Sequence, residues 1–165
     1  MISLDIDGEP IPWKRAGQKR LRNYVINYDT QKKDKERIRL QIREQYKGIP
    51  LEGPLRIDFW FFMPIPKSTS KKLRKQMMED AIWHEKKPDL DNLEKFIRDC
   101  MTGYIYVDDA QVTMVYKEKL YRANAGTLIH VTPLSNIEEF VLTFEECKNE
   151  KDKRSKKNKE DNGGV

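Results

Sequence analysis

The chain is poor in cysteine and histidine and has no long apolar run. Cys100 and Cys147 form no CxxC pair and no Cys/His cluster, so the sequence indicates neither a disulfide framework nor a zinc site. No apolar run approaches the ~20 residues that a transmembrane helix needs. Residues 1–5 lack the basic and apolar segments of a secretory signal. We therefore expect a cytoplasmic protein that holds Cys100 in its core.

The charge of the chain is its clearest compositional feature. Charged residues make up 36% of the sequence, and the formal net charge is +5. A basic surface suits a polyanionic partner. A length of 165 residues predicts one domain with its own core. Because residues 148–165 contain almost no apolar side chain, we expect a domain over residues 1–146 and a disordered, charged tail over residues 147–165.

Three segments alternate apolar and polar residues as strands do. Residues 2–6 predict a half-buried strand. Residues 55–63 predict the most buried strand, because its second face also becomes apolar at Trp60 and Phe62. Residues 109–133 predict a hairpin that turns at an Ala-Asn-Ala-Gly segment. The strand and the hairpin would together form the centre of a sheet.

Helices are predicted by apolar spacing over residues 31–47, 70–83 and 137–144. Thr30 is the expected cap of the first of these helices, and Ser68 or Ser70 is the expected cap of the second. A fourth helix, described below, begins after Pro88. The predicted architecture is an α+β fold, with a small mixed β-sheet and the helices packed largely on one face.

Residues 13–28 form a stretch that is both basic and aromatic. Cations spaced along a loop can follow phosphates, and aromatic rings between them can stack on exposed bases. The alternative is an ordinary solvated loop. Two lysines in the predicted helix over residues 70–83 add to the basic surface. The candidate DNA-binding residues are Lys14, Arg15, Lys19, Arg20, Arg22, Lys71 and Lys72.

The candidate chemistry lies in residues 87–95 and, after one short helix, in residues 107–111. Pro88 suits the position just before a helix, where its missing N–H costs little. The apolar residues that follow recur at helical spacing and are Leu93, Phe96, Ile97, Cys100 and Met101. The opposite face of the helix carries Asp91, Lys95 and Asp99.

Gly103 fits the position that ends this helix, so the next turn can carry Asp108 and Asp109 back beside the helix start. Three or more carboxylates would then surround one lysine. Because carboxylates repel one another, such a cluster suggests a bound cation, and oxygen ligands suit Mg²⁺ or Mn²⁺. The alternative is structural: Asp91 and Glu94 can form a capping box, and Asp108-Asp109 can be an ordinary turn.

The motif Pro-Asp-Leu-Asp-Asn over residues 88–92 is followed by Lys95, by Asp99 and by Asp-Asp-Ala-Gln-Val over residues 108–112. This order and spacing resembles the signature of the RusA family of Holliday-junction resolvases. The basic loop resembles that of the phage- and prophage-type members. The resemblance implies a RusA-like fold, a homodimer, branched DNA as the partner, and a role in DNA recombination and repair.

The resemblance also implies site residues. It implies metal-binding and catalytic roles for three aspartates, Asp89, Asp91 and Asp109, and a catalytic role for Lys95. Mg²⁺ is the expected cofactor, with Mn²⁺ as a substitute, and Asp108 is the alternative third ligand. Lys95 would stabilise negative charge on the scissile phosphate, and Asp99 would hold Lys95 by an i,i+4 pair.

Other interpretations remain open at the level of the sequence. A metal-dependent nuclease of the same fold could act on flaps, forks or duplex DNA instead of on four-way junctions. A nucleic-acid-binding protein whose acids only cap a helix is a further alternative. His84 could assist catalysis or could simply lie exposed in a polar linker.

Overall fold

The computed structural model describes residues 1–22 and 24–134. Residues 1–133 of this part belong to one compact unit. In chain order its elements are β1 (Ile2–Asp7), β2 (Gly17–Arg20), β3 (Val25–Tyr28), α1 (Lys32–Gln45), β4 (Leu55–Pro64), α2 (Lys71–Met78), α3 (Leu90–Met101), a short 3-10 helix (Asp109–Gln111), β5 (Val112–Arg122) and β6 (Gly126–Pro133). The predicted α+β class is confirmed.

Strand β4 lies at the centre of a mixed four-stranded sheet with the order β1-β6-β4-β5. It runs antiparallel to β6 and parallel to β5. Its alternate residues from Leu55 to Met63 join the main hydrophobic core. Its other face is also buried, from Arg56 through Trp60. A strand that is buried on both faces belongs inside a sheet, and the sequence predicted this for residues 55–63.

The predicted hairpin at 109–133 is wrong. Strands β5 and β6 flank β4 and each pairs with it, rather than with each other. Residues 123–125 instead cross the end of β4, where Arg122 lies opposite Pro64 and Gly126 lies opposite Phe62. Three extended residues span about 10 Å, which is enough to pass over one intervening strand. The apolar strand β4 takes the central place because its burial outweighs a local turn signal.

Helices α1 and α3 contribute apolar side chains to the same core as the strands, which confirms the predicted packing on one face. Helix α2 packs separately, through Met77 against Ile65 and Tyr121. Ser70 caps α2, as one of the two predicted alternatives, by accepting a hydrogen bond from the Leu73 N–H at 3.3 Å. The helix ends well before residue 83.

The predicted cap of α1 is also wrong. The N-cap position is occupied by Gln31, and no side chain caps the helix. The Gln31 side chain is buried and serves another purpose. It accepts a hydrogen bond from the Lys14 N–H at 2.6 Å and donates one to the Pro12 carbonyl at 2.9 Å. The segment before β2 is therefore fixed to the start of α1.

Strands β2 and β3 form a two-stranded ribbon of their own, which the sequence did not predict. We call residues 17–22 and 24–28 the arm. Both strands are exposed along almost their whole length. An exposed ribbon needs no apolar alternation, because neither of its faces is buried, and so it lacks the pattern that identifies most strands.

Two predictions concern residues that the structure does not describe. The predicted helix over residues 137–144 and the predicted tail over residues 147–165 both lie outside the described residues, so the domain boundary at residue 146 stays a prediction. Within residues 1–22 and 24–134, no helix is long and apolar enough to cross a membrane.

Candidate active site

The first turn of α3 presents the candidate aspartates. Asp89 is the N-cap residue of this helix, yet its side chain makes no capping hydrogen bond. The helix begins at Leu90, so the predicted capping box between Asp91 and Glu94 is wrong, since the cap lies two residues earlier. The carboxylates of Asp89 and Asp91 are therefore not used to cap α3, and both residues are exposed.

The apolar face of α3 is buried as predicted, from Leu93 to Met101. This packing fixes the helix and leaves its polar face toward solvent. Cys100 is fully buried, and burial raises the pKa of its thiol to about 12. A thiol with such a pKa stays protonated and unreactive at neutral pH, so Cys100 serves the core.

The turn after α3 assigns different positions to the two neighbouring aspartates. Gly103 adopts a φ of +79°, which favours glycine, and the chain reverses there. The Asp108 side chain accepts a hydrogen bond from the Ala110 N–H at 2.8 Å and forms a capping box with Gln111. The Asp109 carboxylate instead lies 3.7 Å from the Arg98 guanidinium. Asp108 thus stabilises the turn, while Asp109 faces α3.

A chain of alternating charges connects this turn to the start of α3. Arg98 Nη1 donates to Glu94 Oε1 at 3.1 Å, and Lys117 Nζ donates to the other carboxylate oxygen of Glu94. Lys117 also lies 4.0 Å from Asp91 Oδ1. Arg98 further donates to the Asp109 carbonyl at 2.8 Å. We call Asp109, Arg98, Glu94, Lys117 and Asp91 the charge chain.

The centre of the charge chain is more shielded than its ends. The side chain of Glu94 is 12% exposed, whereas those of Asp91 and Asp109 are 89% and 61% exposed. Burial opposes the charge on Arg98, but its hydrogen bond to Glu94 and its contacts with Tyr106 outweigh this, so the pKa of Arg98 is raised. The inner pairs therefore hold two terminal carboxylates that remain open to solvent.

Three members of the charge chain, Glu94, Arg98 and Lys117, were not predicted as site residues. Glu94 and Arg98 are an i,i+4 pair on one helix, and this spacing is visible in the sequence. Lys117 comes from β5, and only the packing of α3 against this strand brings it to Glu94.

Lys95 contacts an aromatic ring instead of an acid. Its ammonium nitrogen lies 3.8 Å from the centroid of the Trp13 ring. Asp99, its predicted partner, is instead paired with Lys35 of α1 at 3.4 Å. The predicted Lys95–Asp99 pair is wrong, because α1 packs against α3 and offers Asp99 a different cation.

Residues of β5 hold the loop that leads into α3. Lys119 donates hydrogen bonds to the carbonyls of Lys86 and Pro88, both at 2.8 Å. The His84 ring packs on Tyr121 with centroids 4.7 Å apart. Burial and then the charge of Lys119 lower the pKa of His84. His84 is thus a packed residue of the loop rather than an exposed one.

The donor chemistry of the three aspartates fits a hard divalent cation, because each supplies carboxylate oxygens and none of these carboxylates is buried. The structure does not gather them around one point. Across residues 1–22 and 24–134, no group of three or more histidine, cysteine, aspartate or glutamate side chains is close enough to hold a metal ion. Asp91 and Asp109 lie instead at the two ends of the charge chain.

The predicted DNA-binding residues lie on two elements. Lys14 and Arg15 lead into the arm, and Lys19, Arg20 and Arg22 belong to it; all are exposed. Lys71 and Lys72 are exposed in the first turn of α2. The arm also exposes Tyr24 at 61% and Tyr28 at 53%. Residues 10–28 contain no acidic side chain, so every charged side chain in this stretch is cationic.

Comparison with known proteins adds a family relationship. The model of the family described as Endodeoxyribonuclease RusA matches residues 7–132. This match covers both the arm and every residue of the charge chain. A relative from Bacillus subtilis (strain 168), named as the uncharacterized protein YqaN, is 28% identical over 125 residues, which are 73% of this chain and 87% of the relative.

Proposed function

Because the chain belongs to the RusA family of endodeoxyribonucleases, we propose that it resolves four-way DNA junctions by a pair of symmetric, metal-dependent nicks. One observation carries the proposal: the charge chain joins Asp91 on α3 to Asp109 on the turn before β5. Residues that are 18 positions apart in the sequence are thereby linked by one continuous series of ion pairs, with Lys95 one helical turn beyond Asp91.

Asp89, Asp91 and Asp109 are the residues that would hold Mg²⁺, for which Mn²⁺ is the expected substitute. The ion, when bound, supplies Lewis acidity and a more acidic water for phosphodiester hydrolysis. The negative charge of Glu94 offsets part of the positive charge of Arg98 and Lys117. These two cations therefore orient the carboxylates of Asp109 and Asp91 without neutralising them fully. Lys95 places a positive charge beside the scissile phosphate and stabilises the negative charge that develops there.

The arm supplies the DNA-binding surface in this proposal. Its cations follow the phosphate backbone, while Tyr24 and Tyr28 stack on bases that become exposed at a branch point. Hydrogen bonds between the Gln31 side chain and the backbone of Pro12 and Lys14 fix the segment before the arm to α1, so a DNA strand bound there approaches α3 at a defined position. Lys71 and Lys72 extend the contact to a second part of the DNA. The protein would act on cytoplasmic DNA during recombination and repair.

Paired nicks require two sites, and we propose that a symmetric homodimer supplies them. Trp60 of β4 is only 8% exposed and packs on His130 with ring centroids 4.9 Å apart, so it offers little surface to a partner subunit. Strand β5 is a better candidate, because it lies at the edge of the sheet and exposes Met114 and Val115 at 37% and 39%. Sedimentation at micromolar concentration should give twice the monomer mass of 19.6 kDa.

The test is a cleavage assay on three labelled substrates: a four-way junction, a replication-type fork and a linear duplex, each with and without Mg²⁺. We expect cleavage of the junction alone, and only with Mg²⁺. Preferential cleavage of the fork would favour a nuclease of the same fold with another substrate. Junction binding without cleavage under any divalent cation would favour a non-catalytic binding protein.

The two aspartates of the turn provide a matched pair of variants. Asp109→Asn should abolish junction cleavage, because an amide is a much weaker ligand for a divalent cation than a carboxylate. Asp108→Asn should cleave normally, since asparagine caps a helix about as well as aspartate. Single-turnover rates of the two variants are the measurement. If Asp108→Asn is the inactive one, the third ligand is Asp108 and the assignment of Asp109 is wrong.

A further inference from the structure

We infer that Trp13 is a positioning residue for Lys95, and that the cation–π contact between them sets the rate of strand cleavage rather than the affinity for DNA. This inference rests on the proposed function. It assigns a role to an aromatic residue that the sequence grouped only with the basic and aromatic stretch over residues 13–28.

The contact between Lys95 and Trp13 is close. The Lys95 ammonium lies 3.8 Å from the Trp13 ring centroid, well inside the ~6 Å range of cation–π attraction. Tryptophan is the strongest side chain in this interaction because of its extended π-system. A lysine has four rotatable bonds, and an exposed one samples many rotamers. The indole face therefore selects the rotamers that keep the ammonium near the start of α3.

Trp13 is itself held in place by its neighbours. Its backbone N–H donates a hydrogen bond to the Asn92 carbonyl in the first turn of α3 at 2.7 Å. Its ring packs against the main core. On either side of it, the Pro12 carbonyl and the Lys14 N–H are both bonded to the buried Gln31 side chain. The ring is thus fixed to α3 and α1 at once, and it can hold Lys95 before DNA arrives.

Two acidic neighbours of Lys95 on α3 are engaged elsewhere. Asp99, one turn further along α3, pairs with Lys35, and Glu94 pairs with Arg98 and Lys117. An aromatic face suits a catalytic lysine better than a carboxylate does, because it orients the ammonium without neutralising it. The positive charge remains available to a phosphate, and its placement is already decided in the free enzyme.

The test is a graded series at residue 13, with tryptophan, tyrosine, phenylalanine and leucine, assayed for single-turnover junction cleavage and for junction binding. Cleavage rates should fall in that order, because cation–π strength falls in that order. The single-turnover rate of Trp13→Leu should be about tenfold lower than that of the wild type. Dissociation constants should change less than threefold. Equal rates for leucine and phenylalanine would overturn the inference, since both fill apolar space but only phenylalanine attracts a cation.

Tyr104→Leu is the matched control. Tyr104 is also a partly buried aromatic residue packed on the main core, and the Arg39 guanidinium lies 5.9 Å from its ring centroid. Its replacement removes a comparable aromatic contact without touching Lys95. The rate of Tyr104→Leu should stay within twofold of the wild type. An equal loss of rate in Tyr104→Leu and Trp13→Leu would indicate a general effect on the fold and would contradict a positioning role.

Proton NMR of the lysine side chains separates this inference from the proposed function. The ε-methylene protons of Lys95 should be shifted upfield by the indole ring current, and Trp13→Leu should remove this shift, whether or not the protein cleaves DNA. A Lys95 resonance at the ordinary lysine position in the wild type would show that the contact does not form. A wild-type protein with the shift but no cleavage of any DNA would refute the proposed function and leave the contact intact.

Discussion

Asp91→Asn is expected to abolish cleavage of a four-way junction while leaving junction binding unchanged or tighter. The carboxylate of Asp91 is 89% exposed and forms only a long ion pair with Lys117, so it is available to a cation. Asparagine keeps the size of the side chain but is a weak ligand for Mg²⁺. Removing one negative charge near the phosphate also favours binding. The measurement is cleavage and gel-shift binding of the same labelled junction.

The matched control is Asp34→Asn. Asp34 and Asp91 are acidic residues in the first turns of α1 and α3, so both substitutions remove the same favourable interaction with a helix dipole. Only Asp91→Asn should stop cleavage. Mg²⁺ should also raise the melting temperature of the wild type and of Asp34→Asn more than that of Asp91→Asn, by binding to the native state. Normal cleavage by Asp91→Asn would falsify its assignment as a ligand.

Lys95→Ala is expected to lower the single-turnover rate by about 10²-fold or more, the scale of a lost electrostatic stabiliser, with little loss of binding. Its charge acts on the transition state, where the negative charge of the phosphate increases. Rate constants at saturating enzyme are the measurement, because they exclude differences in affinity.

A lysine of the arm provides the contrast to Lys95. Lys19→Ala should weaken binding to all DNA substrates and reduce the slope of log K against log salt by about 1, as expected of one phosphate contact. Its rate at saturation should stay near that of the wild type. If Lys95→Ala behaves like Lys19→Ala, with weaker binding and an unchanged rate, Lys95 is an ordinary phosphate contact.

The sequence predicted those parts of the fold that depend on burial. The apolar residues of α3 and the doubly buried strand β4 have strong periodic patterns, and both occupy the places that these patterns require. The arm was not predicted, because an exposed ribbon has no buried face to produce a pattern. The prediction that β5 and β6 form a hairpin was wrong, because a local turn signal does not reveal that a third strand lies between them.

The candidate site likewise has one part that the sequence predicted and one part that it did not. The motif residues Asp89, Asp91 and Asp109 could be chosen from the sequence, and their metal-binding role stays a prediction. The contacts that support the site could not be predicted from the sequence. Lys117 reaches Glu94 from β5, and Trp13 reaches Lys95 from the segment before the arm. Such pairs follow from tertiary packing, which single-sequence periodicity does not contain.

The most direct test of the proposed function uses a supercoiled plasmid that extrudes a cruciform. A homodimer that makes paired nicks across the four-way junction converts this plasmid into a linear product, whereas single nicks give an open circle. We predict Mg²⁺-dependent linear product from the wild type, and none from Asp91→Asn or from a plasmid without the cruciform. Open circles alone, formed equally from both plasmids, would contradict junction resolution by this protein.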